Sequence, residues 1–205
     1  MTTRRTDPNS GARAARLAAR RAALPLGLSF LLAALSSFAA ARTVSDESDV
    51  RETVERAFSQ LKGGDYSALY DVLPTASQKR ITRERFASAL ERTRGMYALD
   101  RLEIGAVHVA GDLAAVDSVV YGRALAPFDA DGKIVLRQYL VREGGRWRVT
   151  TGDAATIKPL LSAHPDFARR YPQRPPQLYV KREGRWVRMD EMMRDARRRA
   201  GVRKT

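Results

Sequence analysis

The 205-residue chain carries two histidines, His108 and His164, and no cysteine. Multi-histidine metal sites, thiolate nucleophiles, disulfide frameworks and a lipidated N-terminal cysteine are excluded together. His164 stands before Pro165-Asp166 in a proline-rich stretch. His108 has the spacing that matters. A two-residue turn at Gly111-Asp112 sets it opposite Ala115 on a hairpin and makes Asp117 its diagonal neighbour on the same face. A carboxylate beside an imidazole can act as an acid-base pair. The plainer reading is a partly solvated histidine near a hairpin end and a polar strand residue, so no catalytic residue is assigned.

Other chemistries have no footing in the sequence. A Gly-x-Ser-x-Gly elbow, a phosphate-cradling glycine loop and a dinucleotide fingerprint are absent. Asp129-Ala130-Asp131-Gly132 has the opening spacing of a calcium loop but lacks the distal glutamate, and reads as a turn. Neither a metal nor another cofactor is expected.

The elements that position these groups follow from periodicity. Val50, Val54, Ala57, Phe58 and Leu61 fall at helical spacing over Asp49 to Leu61, with Asp46, Glu47 and Asp49 at the positive N-terminal end and Lys62-Gly63-Gly64 as the stop. Asp65 caps a short helix from Tyr66 to Leu73, ended by Pro74. Thr82 caps a third from Arg83 to Arg94, with Phe86, Ala89 and Leu90 on its inner side. The period then changes to two. Leu102, Ile104, Ala106 and His108 alternate before the turn, and Leu113 to Tyr121 returns as a second strand. Pro127 and Asp131-Gly132 punctuate the next connection. Ile134 to Val141 and Arg146 to Thr151 pair across Glu143-Gly144-Gly145.

Charge is distributed unevenly. Lysine and arginine total 37 against 23 acids, a formal +14. Residues 1–21 carry +5 and residues 168–205 carry +9, while residues 22–167 hold equal numbers of each sign. A neutral middle has no basic groove, so nucleic acid is not an expected partner. Between Arg21 and Arg42 lie twenty residues without a charge, Ala22 to Ala41. As a helix such a run reaches about 30 Å, enough to span a hydrocarbon core. It closes on small residues, with Ala39 and Ala41 at signal-peptidase spacing. The sequence thus divides into a basic cytoplasmic region 1–21, a signal peptide or anchor 22–41, and an exported remainder in the cell envelope. Arg20-Arg21 resembles a twin-arginine export signal, with Ala23 where a large apolar residue is usual.

Residues 154–177, with five prolines, read as a linker with one short helix near Asp166 to Arg170. A phrase then repeats. Tyr139 to Val149 and Tyr179 to Met189 share an aromatic, a basic-acidic-glycine turn and a tryptophan, so Trp147 and Trp186 are each expected to seal a hairpin. The region 178–205 is accordingly a hairpin followed by a basic helix, and the hairpin docks on the central domain because one hairpin alone is marginal in water. Met189, Met192, Met193, Ala196 and Ala200 form a stripe opposite Arg194, Arg197, Arg198 and Arg199. The plainer reading is a docked helix. The sharper one is contact with an anionic membrane through the basic tail.

The order of three helices and then long antiparallel strands, the Gly63-Gly64-Asp65-Tyr66 link and the Arg146-Trp147-Arg148-Val149 strand resemble the nuclear transport factor 2-like (NTF2-like) superfamily over residues 46–153. The resemblance implies an α+β fold, helices packed on a curved, cone-like antiparallel sheet. Enzymes of that superfamily such as ketosteroid isomerase and scytalone dehydratase use Asp, His and Tyr inside the cone. It therefore implies a pocket that would draw on Tyr66, Tyr97, His108, Asp117 and Tyr121.

The reading that follows is an exported or membrane-anchored binding module for a small apolar ligand or a protein partner, with a homodimer through the sheet as a further expectation. Two alternatives stand beside it. One is a cone-pocket lyase or isomerase using His108 and Asp117. The other is an inner-membrane scaffold, because components of secretion machines resemble this layout.

Overall fold

From Leu28 to Lys62 the chain has neither glycine nor proline, and helix α1, Leu26–Gly63, runs through it without a break. The expected start at Asp49 is therefore corrected. Alanine, leucine, arginine and glutamate all favour the helical state, so the polar stretch around Asp46 continues the helix instead of interrupting it. The computed structural model describes residues 26–125, 129–150, 152 and 154–202. The basic region 1–21, the first residues of the uncharged run, Pro127 and the last three residues lie outside them, as do the side chains of 26–44. The chain divides between Ala41 and Arg42 into two units. Among the described residues no helix is long and apolar enough to cross a membrane.

Gly64, at φ +76°, ends α1 in the left-handed conformation that glycine adopts freely. Asp65 then caps α2, Tyr66–Asp71, by accepting from the Ala68 amide at 3.0 Å. A one-turn helix not expected from the sequence, α3 at Thr75–Gln78, follows Pro74. Helix α4, Arg83–Arg94, has the predicted bounds, with the Thr82 hydroxyl accepting from the Arg85 amide.

The sheet is antiparallel throughout. Its strands are β1 (Tyr97–Ala110), β2 (Leu113–Ala124), β3 (Ala130–Glu143), β4 (Arg146–Val149), β5 (Gln177–Arg182) and β6 (Arg185–Arg188), in the order β1-β2-β3-β5-β6 with β4 also on β3. Strand β3 is the hub. One edge carries β2 along its whole length, while the other carries β4 against Leu140 to Glu143 and β5 against Gly132 to Val135. The tail hairpin thus docks by extending the sheet. Asp131-Gly132, expected as a turn, belongs to β3, because β2 and β5 supply its backbone with partners on both sides. Two register shifts in β1, at Leu99/Arg101 and Ile104/Val107, bend the sheet. Gly122 permits the bend at the first. A Cβ there would come within 2.6 Å of the Ala98 carbonyl oxygen.

Both faces of one half of the sheet are covered. Ala114, Val116, Leu140 and Trp147 pack against Val50 and Val54 of α1. On the other face Leu113, Ala115 and Tyr139 pack against Ile157 of α5 (Ala154–Ala163) and Phe167 of α6 (Pro165–Arg170). The linker reading of 154–177 is corrected here. Ile157, Leu160 and Leu161 fall at helical spacing, and burying them outweighs the cost of Pro159 inside the helix. The proline leaves the Ala155 carbonyl without its helical donor, and the Arg80 guanidinium donates to it at 2.6 Å. Helix α7, Met189–Val202, closes the chain against β5 and β6.

Candidate functional site: an apolar cavity on the concave face

Register assigns every strand residue to one of two faces. Val120 stands opposite Leu102 and Ile134, and Ile134 opposite Leu178, so these share the face of Val116 and Leu140 that α1 covers. Beyond Val54 the helix no longer fills that face. Leu61 of α1, Leu99 of β1, Val120 of β2, Leu136 of β3, Val180 of β5 and Met189 of α7 line a half-open cavity of about 490 Å³. Gln138 and Tyr97 bring the uncharged polar groups to its lining. Arg123 and Lys133 border it too, but they have odd-numbered strand positions and their charged ends lie on the other face. Arg123 holds Asp129 at 2.8 Å and Asp131 at 3.4 Å, while the Lys133 ammonium sits over the rings of Tyr179 and Trp186. The aspartates expected to form a turn are thus the counter-ions of an arginine.

Of the five candidate pocket residues, Tyr97 and Tyr121 border the cavity. The Tyr121 ring faces away from it. Its hydroxyl donates to Glu103 at 3.0 Å, a bond that raises its pKa above the ordinary tyrosine value, and its ring lies under the Arg101 guanidinium at 3.7 Å. Tyr66 is buried beside α4, where desolvation and then its neighbour Tyr97 push its hydroxyl upward.

His108 does stand opposite Ala115 as the turn dictates, and this places it with Asp117 on the face away from the cavity. The imidazole stacks on Tyr171 at 4.6 Å. Both Asp117 oxygens are taken by Arg137, and that bond holds the carboxyl below the usual aspartate range. Neither enters the cavity, because both lie on the face of Ala115 and Tyr139, across the sheet from Val120 and Leu136.

The lining residues Leu99, Val120, Leu136 and Gln138 were not singled out from the sequence. Their only signal is alternation, which marks a covered face and does not separate filled from unfilled parts of it. A second, polar cleft of about 760 Å³ lies between α1, α2 and the β3-β4 turn. Three of its six charged residues are paired, Arg56 with Glu52 and Asp71 with Arg83 outside the lining.

No family model matches the sequence, and neither does any curated protein. Three solved structures are found to be similar to this chain. One is an NTF2-like protein with a cystatin-like fold from Novosphingobium aromaticivorans, at 17% identity and a TM-score of 0.39, covering 58% of this chain and 92% of that one. Another is an NTF2-like protein from Cytophaga hutchinsonii, at 15% and 0.37, covering 49% and 88%. The third is an M. tuberculosis LEH-like epoxide hydrolase, at 16% and 0.36, covering 62% and 99%. At these identities activity does not transfer from neighbour to chain.

Proposed function

We propose that this chain is a non-catalytic NTF2-like binding module whose concave cavity takes a small, uncharged apolar ligand. The observation that carries the reading is the lining. At about 490 Å³ the cavity falls within the roughly 300–1,000 Å³ range of ligand sites, and its polar groups are few. The charges at its border are matched or turned outward, so a charged ligand would gain no counter-ion to offset its lost hydration.

Mass spectrometry of what copurifies with the folded chain tests this directly. The expected result is a neutral apolar compound that is lost when Leu136 is replaced by arginine in a variant of unchanged circular dichroism. Retention of the compound in that variant would place it elsewhere and overturn the reading.

We also propose export, with residues 22–41 as signal peptide or anchor, on the strength of the uncharged run between basic flanks. N-terminal sequencing of the mature chain checks it. A start near Arg42, or an intact chain in the membrane fraction, supports export, and an intact chain in the cytosol refutes it.

A further inference from the structure

The face opposite the cavity carries a second surface, built mostly from the tail hairpin. Register puts Tyr121, Lys133, Tyr179, Lys181 and Trp186 on one side of the sheet, since Lys133 pairs with Tyr121 and Tyr179, and Lys181 with Trp186. Trp186 is 37% exposed, although its phrase partner Trp147 is buried at 6%. It meets the edge of Tyr121 at 6.2 Å. Two ammonium groups lie over it, Lys133 at 4.9 Å and Lys181 at 6.0 Å.

The charge state of this patch is one-sided. Among the described residues Lys133 and Lys181 form no ion pair, whereas nearby Arg101, Arg123 and Arg188 each hold carboxylates. Two arginines of α7 differ as well. Arg194 is engaged by Asp190 and Arg198 by Asp195. On this face the lysines of β3 and β5 are thus the cations without an ion pair among the described residues.

We propose that this aromatic-cationic face docks on a bilayer surface rich in anionic headgroups, with Trp186 at the headgroup level and Lys133 and Lys181 as the phosphate contacts. An exposed indole flanked by unpaired lysines suits the interface, where the ring is half solvated and the ammonium groups remain in water. A platform for stacked nucleic-acid bases needs free ring faces, and here cations already lie over Trp186 and Tyr121. The inference is independent of what the cavity binds.

The test uses the full chain with phosphatidylcholine vesicles containing 30% phosphatidylglycerol and brominated acyl chains, reading tryptophan fluorescence. The chain has two tryptophans, and Trp186→Phe separates the signal of the exposed Trp186 from that of the buried Trp147. Docking predicts quenching that falls with added salt, is absent from pure phosphatidylcholine, and disappears in Trp186→Phe. Lys133→Gln/Lys181→Gln should lower the apparent partition about 25-fold, at roughly fivefold per lysine. Arg194→Gln/Arg198→Gln should have a smaller effect. No quenching at low salt, greater loss in the arginine variant than in the lysine variant, or binding of a single-stranded oligonucleotide in preference to the vesicles would each overturn the proposal.

Discussion

Arg137 grips both oxygens of Asp117, Nε to Oδ1 at 2.7 Å and Nη2 to Oδ2 at 2.8 Å, between neighbouring positions of β3 and β2. The arginine side chain is 6% exposed and the aspartate 38%. Arg137 is thus the member that cannot lose its partner without leaving a buried charge. Asp117→Asn should destabilise by about 2 kcal/mol at pH 7, between the costs of breaking an exposed pair and a buried one. The hydrogen bond from Arg137 depresses the folded-state pKa of Asp117, so the pair stabilises fully above the unfolded carboxylate pKa of about 3.9 and loses that contribution as pH falls through the lower folded value. Urea unfolding at pH 7 and pH 3 checks the sign. The difference between wild type and Asp117→Asn should shrink at pH 3, and an equal difference at both would show that the contact is not ionic.

The two tryptophans of the repeated phrase should separate sharply. Trp147 lies within the core under α1, and Trp147→Ala should cost on the order of 3–5 kcal/mol. Trp186, more than a third exposed, should cost about 1 kcal/mol or less on truncation. Parallel thermal melts decide it, and similar losses would mean that Trp186 is part of the core after all.

Arg80 substitutes for a helical amide that Pro159 cannot provide. Arg80→Ala should cost about 1 kcal/mol in the native background. The cost should fall in Pro159→Ala, where the amide at 159 can donate to Ala155 itself. A double-mutant cycle measures the coupling, and strict additivity would dissociate the two residues.

The turns of the repeated phrase are offset. In the first hairpin Gly144 and Gly145 take φ +56° and +75°, whereas in the second Glu183 and Gly184 take +49° and +78°. Glutamate in the left-handed region is strained, and Asn-Gly is the favoured pair for such a turn. Glu183→Asn should therefore stabilise the chain by about 0.5–1 kcal/mol, seen as a raised melting temperature. A lowered one would show that Glu183 makes a compensating contact. The first hairpin avoids the strain because its Glu143 remains in the strand, where it accepts from the Thr75 amide at 2.9 Å and hydroxyl at 2.7 Å.

What the sequence determined by itself is local. Asp65 and Thr82 cap helices because a short side chain reaches an amide three residues on. The Gly111-Asp112 turn sets His108 against Ala115 through the fixed pairing of a two-residue hairpin. The α+β class, helices and then antiparallel strands, follows from the same change of period. Tertiary structure decided which face is which. Alternation tells that His108 and Asp117 lie together, but only the packing of α1 on the even-numbered side and of α5 and α6 on the odd-numbered side puts the cavity across the sheet from them. It likewise made a proline-rich linker into a cover and left Trp186 at the surface while Trp147 was buried, because burial depends on what a distant segment brings, and no spacing within the strand encodes that.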